Sequence, residues 1–542
     1  MTGGQSTVPT TTIGTAPTGT DSAARVSSVI HAQEDSGLYK PLQATGRGHL
    51  EVAIHDPVTA FGQVLTAEET PRVQIDFIEG LLSTDHEQLT DGSSGSITTS
   101  ASRLTCSTGT TIGGYAVCRS RRVARYRAGQ GMVARWTAAF PSAPTALSLV
   151  VAGLLNPEDA LLVGYNGATF GFMRRIAGAC AIHRLTVSVG TGGAETLTVT
   201  LNGVAFTVSA GGVLSTTETA EAIAERVGGY TGWTSSVSPT SNGSTVTFIQ
   251  GTPAVTSGAF TLTSTGTATG TFATVRAGAA NDSETGFIAQ TAWNIDRMDG
   301  SNGEYNPSGL LLDPSKFNVY ELSVPYLGAG SIRLAIMGPN GEFYDVHTIE
   351  YPNSAQVPSL RNPSFRMAWI AASLGSTTNL QVYGGSGYVG TQGRLVSARD
   401  PFAVTSVAYS ASTTEYVAFA IRVRGEFAGQ LCQREVRPHV LDVGVETSNR
   451  TAQVTVYLNP TITGTVNWSY VDQSASCVEY ATPTTITPSG GRKVGGVNVT
   501  TQNEISFDEL DLRLEQGDVM VVAIRTVSST ASTSISFSWQ EV

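Results

Sequence analysis

The sequence predicts a mainly β protein built from β-sandwich or jelly-roll domains, with one small α+β module inserted. Only 14% of the 542 residues are charged, against about 25% in ordinary globular chains, and glycine occurs 59 times. Short segments of alternating apolar and polar residues recur along the chain, as half-buried strands require. Asn-Gly pairs at 166–167, 202–203 and 340–341 separate such segments and favour tight hairpin turns.

We divide the chain into five segments. Residues 1–45 are poor in large apolar side chains, so we expect an extended N-terminal arm that lies along a partner; a disordered tail is the alternative. Residues 46–183 and 279–398 form two parts of one discontinuous sandwich, because the meander within 320–349 needs a second sheet over its apolar face. We expect the first part to supply that sheet. Residues 399–542 predict a C-terminal β-sandwich or jelly roll.

Residues 184–278 predict the inserted α+β module, with one sheet and one helix. Ser215 and Glu218 have the spacing of a helix capping box. The apolar stripe that follows at helical spacing consists of Ala220, Ile223, Ala224 and Val227. The segments at the two ends, 180–183 and 277–280, are strand-like, so we expect them to lie side by side.

The stretch Tyr115–Phe140 predicts a β-hairpin with an arginine-rich face. Its six arginines are Arg119, Arg121, Arg122, Arg125, Arg127 and Arg135. Clustered guanidinium groups could bind phosphate or a carboxylate-bearing partner. The alternative, which we favour, is pairing with acidic residues of the same sheet or of a subunit contact.

Two groups of residues are candidate metal ligands. His49, Glu51 and His55 would share one face of a strand, although a strand with a polar outer face accounts for them equally. A candidate calcium site comprises Asp508, Glu509, Asp511, Glu515 and Asp518. This spacing lacks the calcium-loop signature, and the alternation of Leu510, Leu512 and Leu514 suits a strand. We therefore predict no metal-binding residue.

Catalytic motifs are missing from the sequence. It contains no GxSxG, HExxH or Walker loop, and we interpret Gly192-Gly193 and Gly384-Gly385 as turns. A carboxylate pair for glycoside hydrolysis stays an alternative, because its separation is spatial. The five cysteines lack zinc spacing, so we expect buried thiols, with a Cys432–Cys477 disulfide as the alternative. We predict a protein that is not an enzyme, with no catalytic residue and no cofactor.

Several stretches resemble uncharacterised virion structural proteins of tailed bacteriophages. Within residues 46–398 they are AIHDPVTAFGQVLTAEETPRVQIDF, SRRVARYRAGQG, FNVYELSVPYLGAGSIRLAI and VPSLRNPSFRMAWIAASLG. The strand-helix-strand pattern of the module, with Gly232-Trp233 and STVTF, is similar to small modules of phage tail and fibre proteins. The resemblance implies a particle component and brings no catalytic residue set with it.

We therefore expect a structural subunit of a phage tail fibre, spike or baseplate, located in the virion after assembly in the host cytoplasm. The expected partners are further copies of the chain in a homotrimer and other virion proteins, contacted through the arm; a host surface glycan is a further candidate. Nucleic acid is not expected because the net charge is −11, and neither is membrane insertion. The alternatives are a glycan-degrading tailspike, a capsid decoration protein, or a carbohydrate-binding adhesin with exposed aromatics such as Trp293, Tyr305 and Tyr383.

Overall fold

The chain divides into two compact units, Met1–Thr66 and Ala67–Val542. The computed structural model describes residues 31–33, 39–41 and 69–542, without 142–143, 145, 177, 228–231, 241–242, 252, 281–285, 393–399, 463–465, 484 and 511. In the first unit, β1 (His31–Gln33) and β2 (Tyr39–Pro41) form an antiparallel pair. The rest of the predicted arm lies outside the described residues, as does the predicted strand that carries His49, Glu51 and His55.

The second unit begins with the first part of a sandwich. Its strands are β3 (Glu69–Asp76), β4 (His86–Thr90), β5 (Ser96–Ser100), β6 (Arg103–Ser107), β7 (Tyr115–Ser120), β8 (Met132–Ala139), β9 (Ser148–Leu155), β10 (Asp159–Asn166) and β11 (Thr169–Ile176). The inserted module follows, with β12 (Ile182–Val189), β13 (Gly192–Leu201), β14 (Val204–Val213), α1 (Thr216–Val227), β15 (Trp233–Thr240), β16 (Gly243–Gln250), β17 (Thr261–Ser264) and β18 (Thr269–Arg276).

The sandwich then resumes and is followed by the C-terminal sandwich. The resumed part has β19 (Phe287–Ala289), a 3-10 turn (Gln290–Ala292), β20 (Asn318–Val324), β21 (Ile332–Met337), β22 (Phe343–Ile349), β23 (Arg366–Ser373) and β24 (Gln381–Gln392). The C-terminal strands are β25 (Asp400–Ala411), β26 (Tyr416–Val423), β27 (Glu426–Phe427), β28 (Gln430–Leu431), β29 (Val436–Val445), β30 (Ala452–Leu458), β31 (Thr461–Ile462), β32 (Ser469–Tyr470), β33 (Val478–Ala481), β34 (Pro488–Ser489), β35 (Arg492–Val499), β36 (Gln502–Ser506), β37 (Val519–Thr526) and β38 (Ala531–Glu541), with a 3-10 turn at Asp508–Leu510.

The protein is mainly β, as the sequence predicts, and its first sandwich consists of two antiparallel sheets. One sheet has seven strands in the order β19-β11-β10-β9-β23-β7-β4; the other has eight, along β22-β21-β20-β8-β24-β6-β5 with β3 paired to β24. Side chains of both sheets share one core, in which Trp136, Tyr320 and Trp369 are buried. Because β20 pairs with β8 and β23 pairs with β9, each sheet contains strands from both sides of the module. The sheet that covers the meander takes β4, β7, β9, β10 and β11 from the first part, as expected, and β19 and β23 from the second part.

The arginine-rich stretch is not the predicted hairpin. Strand β7 lies in the seven-stranded sheet and β8 in the eight-stranded sheet, so the connection 121–131 crosses from one sheet to the other. Ala116 and Cys118 on β7 and Ala134 and Trp136 on β8 are buried in the same core. The two arms face each other across that core, because each buries its own apolar side.

The module contains two sheets, β15-β16-β12-β18 and β14-β13-β17, where the sequence predicts one. Its helix and capping box are confirmed: Glu218 N donates to Ser215 Oγ at 3.2 Å, and Ser215 N donates to Glu218 Oε2 at 2.7 Å. The ends of the module lie side by side as predicted, because β12 pairs with β18 and Ala279 N donates to Ala179 O at 2.9 Å. Strands β11 and β19 of the parent sandwich pair across the insertion.

The C-terminal sandwich packs a four-stranded sheet, β25-β38-β29-β36, against a six-stranded sheet, β32-β33-β26-β37-β30-β35. The three Asn-Gly turns are confirmed, since they join β10 to β11, β13 to β14 and β21 to β22. Gly192-Gly193 and Gly384-Gly385 lie in strands β13 and β24, so their interpretation as turns is wrong. None of the described helices has both the length and the apolarity to cross a membrane.

Candidate functional site: the charged network between the two sandwiches

Two of the six clustered arginines pair with glutamates of their own sheets, as we expected. Arg119 on β7 binds Glu87 on β4, with Nε 2.9 Å and Nη2 3.0 Å from the two carboxylate oxygens. Arg135 on β8 donates from Nε to Glu321 Oε2 at 2.7 Å and from Nη1 to Glu69 Oε2 at 2.9 Å. These guanidinium groups stabilise the first sandwich.

Arg125 makes a different connection, from the first sandwich to the C-terminal sandwich. The backbone beside it is fixed by Ala124, which donates to Phe365 O at 2.7 Å and accepts from Phe365 N at 2.9 Å. Arg125 is only 5% exposed. Its Nη2 lies 3.5 Å from Glu515 Oε2 and its Nε lies 3.8 Å from Glu435 Oε2. In addition, Val123 N donates to Glu515 Oε1 at 3.0 Å.

The C-terminal sandwich places Glu435 and Glu515 together through its backbone. Val436 and Leu514 exchange two hydrogen bonds, of 3.0 and 2.8 Å, which brings the residues on either side into register. Glu435 also binds Arg437. We call the set Arg72, Arg125, Arg437, Arg513, Glu435 and Glu515 the junction network.

Burial and neighbouring charge act differently on the two glutamates. Burial alone would raise the pKa of Glu435, but Arg437 and Arg125 outweigh it and hold that pKa below its usual value. The pKa of Glu515 is raised because its burial outweighs the attraction of Arg125 and Arg366. Glu435 therefore ionises at a lower pH than Glu515.

Arg72 on β3 brings a further buried positive charge to the network. It is 4% exposed, and its Nε and Nη2 have no hydrogen-bond partner. Burial lowers its pKa to about 10, and Arg513 and Arg437 add to this through charge repulsion, while Glu435 opposes it. The network thus holds four guanidinium groups and two carboxylates.

A cleft of about 640 Å³ opens beside this network, between the two sandwiches. The first sandwich lines it with Ser83, Thr84, Asp85, Arg121 and Arg122. The C-terminal sandwich lines it with Leu458, Asn459, Gly491, Arg492, Leu510, Leu512, Arg513, Glu515 and Asp518. Arg513 and Glu515 belong to both the cleft and the junction network.

Arginine–glutamate pairs also tie the module to its neighbours. Arg276 at the end of β18 binds Glu158 of the first sandwich. Arg184 on β12 binds Glu426 of the C-terminal sandwich. Next to this second pair, Cys180, Ile182, Ile249 and Leu431 form an apolar cluster that the module shares with the C-terminal sandwich.

The structure separates the residues of the candidate calcium site. Asp508 Oδ1 lies 2.7 Å from His439 Nδ1, whereas Glu515 belongs to the junction network and Asp518 accepts hydrogen bonds from Asn459 and Glu515. Asp511 and the side chain of Glu509 lie outside the described part. Across the described residues, no group of three His, Cys, Asp or Glu side chains could hold a metal ion. The predicted strand through Leu510, Leu512 and Leu514 is wrong, because it begins in the 3-10 turn and Leu514 forms only an isolated bridge with Val436.

The three candidate aromatics do not share an exposed surface. Trp293 is buried in the core of the first sandwich. Tyr305 is half exposed and lies under the guanidinium group of Arg297, 4.2 Å from the ring centre. The guanidinium group of Arg103 lies over the ring of Tyr383, 4.1 Å from the ring centre.

All five cysteines are buried free thiols, as expected. Cys432 and Cys477 contact each other in the core of the C-terminal sandwich, where the hydrogen bond between their sulfur atoms and burial together raise the pKa of Cys477 far above its usual value. The disulfide alternative is therefore not formed in this structure.

No protein-family model matches the chain, and no curated protein matches it significantly. Sequence reasoning missed Glu435 as a partner of Arg125; the available signal was its position between Arg434 and Arg437 in a chain with few charges.

Proposed function

We propose that the chain is a non-catalytic structural subunit of a bacteriophage particle, of the tail-fibre, spike or baseplate type. The proposal starts from the resemblance of stretches within residues 46–398 to virion structural proteins. The mainly β architecture suits it, because sandwich domains are stable units that can be arranged in series.

The observation that carries the proposal is the set of charged contacts between the domains. Arg125 connects the two sandwiches, Arg276 connects the module to the first, and Arg184 connects the module to the second. A buried ion pair fixes the geometry of its neighbours, because separating the partners leaves a charge without compensation in a low dielectric. A chain whose domains are held in this way keeps one shape, which an assembled particle requires of its components.

We further propose that the subunit is a homotrimer that joins other virion proteins through residues 1–45. The edge strand β5 leaves backbone groups that a symmetric neighbour can cover. The arm is poor in large apolar side chains, so contact with a partner is the route by which it gains order.

Mass spectrometry of purified particles tests the proposal. Particles of the phage that encodes this chain are banded on a density gradient, washed at high salt and digested. We expect peptides from across residues 67–542 at a stoichiometry well above one copy per particle, enriched with the particle band. Peptides confined to the unassembled fraction of the lysate would overturn the proposal.

A further inference from the structure

We propose that the cleft between the two sandwiches is a binding site for a small ligand that carries an oxyanion, either a phosphate or a carboxylate group. Arg121, Arg492 and Arg513 would contact that group. This inference does not depend on the role of the chain in a particle.

Guanidinium groups are available on both walls of the cleft. Arg121 of the first sandwich and Arg492 of the C-terminal sandwich are exposed, and neither side chain has a hydrogen bond or ion pair among the described residues. Arginine suits this role because its planar group donates two parallel hydrogen bonds to an oxyanion. A ligand held from both walls would be recognised by charge and by geometry.

The carboxylates of the C-terminal wall are already engaged. Asp518 accepts from Asn459 Nδ2 through Oδ1 and from Glu515 N through Oδ2, both at 2.8 Å. Glu515 accepts from Val123 N at 3.0 Å and faces Arg125. Both carboxylates therefore accept hydrogen bonds from donors of the protein itself. The exposed guanidinium groups of Arg121 and Arg492 stay available to a ligand.

The junction network behind the cleft contains a buried guanidinium group whose hydrogen bonding is incomplete. Arg72 is buried with two nitrogen atoms that lack hydrogen-bond partners, and Arg513 and Arg437 repel its charge. Such groups are stabilised when a negative charge is brought nearby. An oxyanion in the cleft, close to Arg513, would supply it.

The size and lining of the cleft indicate the class of ligand. A volume of about 640 Å³ lies within the range of roughly 300–1,000 Å³ that small-ligand sites occupy. The described lining residues include no aromatic side chain on which a neutral sugar ring could stack. Recognition would therefore depend on the charged group of the ligand, as in inorganic phosphate or a uronic acid.

Isothermal titration calorimetry of the full chain tests this inference. The probes are inorganic phosphate and D-glucuronate, with D-glucose as the neutral control, all at one ionic strength. We expect saturable binding of at least one anion and none of glucose. Binding of phosphate alone identifies a phosphate group as the ligand, and binding of glucuronate alone identifies a sugar acid.

Two cleft variants and one matched control locate the site. Arg121→Gln and Arg492→Gln should each weaken the anion about tenfold or more, which corresponds to the loss of one charged hydrogen-bonding group. Arg333→Gln removes the same charge from an exposed pair with Asp345 outside the cleft and should leave the affinity unchanged. The inference is overturned if the wild-type chain binds neither anion, or if both cleft variants melt normally and bind as tightly as the wild type.

Discussion

Arg125 of the first sandwich lies between two glutamates of the C-terminal sandwich, with Nη2 3.5 Å from Glu515 and Nε 3.8 Å from Glu435. All three side chains are buried. Glu435 has a second counter-charge, because Arg437 also binds it. Glu515 depends mainly on Arg125. The contact between the sandwiches should therefore respond to changes in any of these charges.

Replacement of Arg125 should weaken the contact between the sandwiches. Arg125→Met keeps most of the side-chain volume but leaves Glu515 buried and without its main counter-charge, so we expect a loss of about 3–5 kcal/mol in the free energy of unfolding. Urea denaturation measures it. Arg333→Met, which removes an exposed pair, is the control and should cost no more than about 1 kcal/mol. Equal effects of the two substitutions would contradict the importance of the junction network.

Acid should destabilise the protein through Glu435. Because its folded-state pKa lies below the usual 4.5, its contribution is fully present above 4.5 and is lost as the pH falls through the lower folded value. The contribution of Glu515 to the pH dependence of stability has the opposite sign. Because burial raises its folded-state pKa above 4.5, ionised Glu515 destabilises the fold, and this cost is relieved as the pH falls through the raised pKa.

Denaturation midpoints from neutral pH to below 4.5 separate these contributions. The variant Glu435→Gln should be less stable than the wild type at neutral pH and should lose less stability on acidification. An unchanged pH slope in Glu435→Gln would show that other carboxylates dominate acid unfolding.

Gly384 on β24 should not tolerate alanine. A Cβ atom there would lie 2.8 Å from Nε1 of the buried Trp369, so Gly384→Ala overpacks the core of the first sandwich. We expect a loss of about 1–3 kcal/mol. Gly385→Ala is the matched control, because its Cβ atom would lie 3.4 Å from Thr137 and needs little adjustment. Thermal melting that is the same for both variants would exclude the packing explanation.

Removal of the module should leave the parent sandwich folded. A short Gly/Ser bridge can replace the residues between Ala179 and Ala279, since the backbones of these two residues are hydrogen-bonded at 2.9 Å. The deletion should lower the melting temperature, because it removes Arg184 and Arg276 and so takes these ion-pair partners away from Glu426 and Glu158 of the neighbouring domains. Calorimetry should still show a cooperative transition, and its complete loss would mean that the module is part of the sandwich fold.

Local sequence signals predicted the local structure well. At the Asn202-Gly203 turn both residues adopt positive φ, 49° and 83°, whereas at the other two pairs only the glycine does, with 59° at Gly167 and 84° at Gly341. The capping box formed because its two residues lie one helical turn apart. In contrast, the turn between β5 and β6 was not predicted, since Ala101 and Ser102 adopt positive φ without a glycine.

Such local signals could not predict the candidate site. Arg125 and Glu515 are far apart in sequence and meet only because the two sandwiches pack together. The same limit explains the error over β7 and β8: alternation shows which residues face a core but does not show which sheet pairs with the strand. The two arms lie in different sheets, and each buries its apolar side in the core that the sheets share.

Cryo-microscopy of the intact particle tests the central claim most directly. We predict that residues 67–542 fit its density as one rigid body, in three symmetric copies per assembly in the tail. A companion map of particles assembled with a chain lacking residues 1–45 should lack this density. Particles in which no density accepts the two sandwiches and the module, although the protein is made in infected cells, would contradict the account.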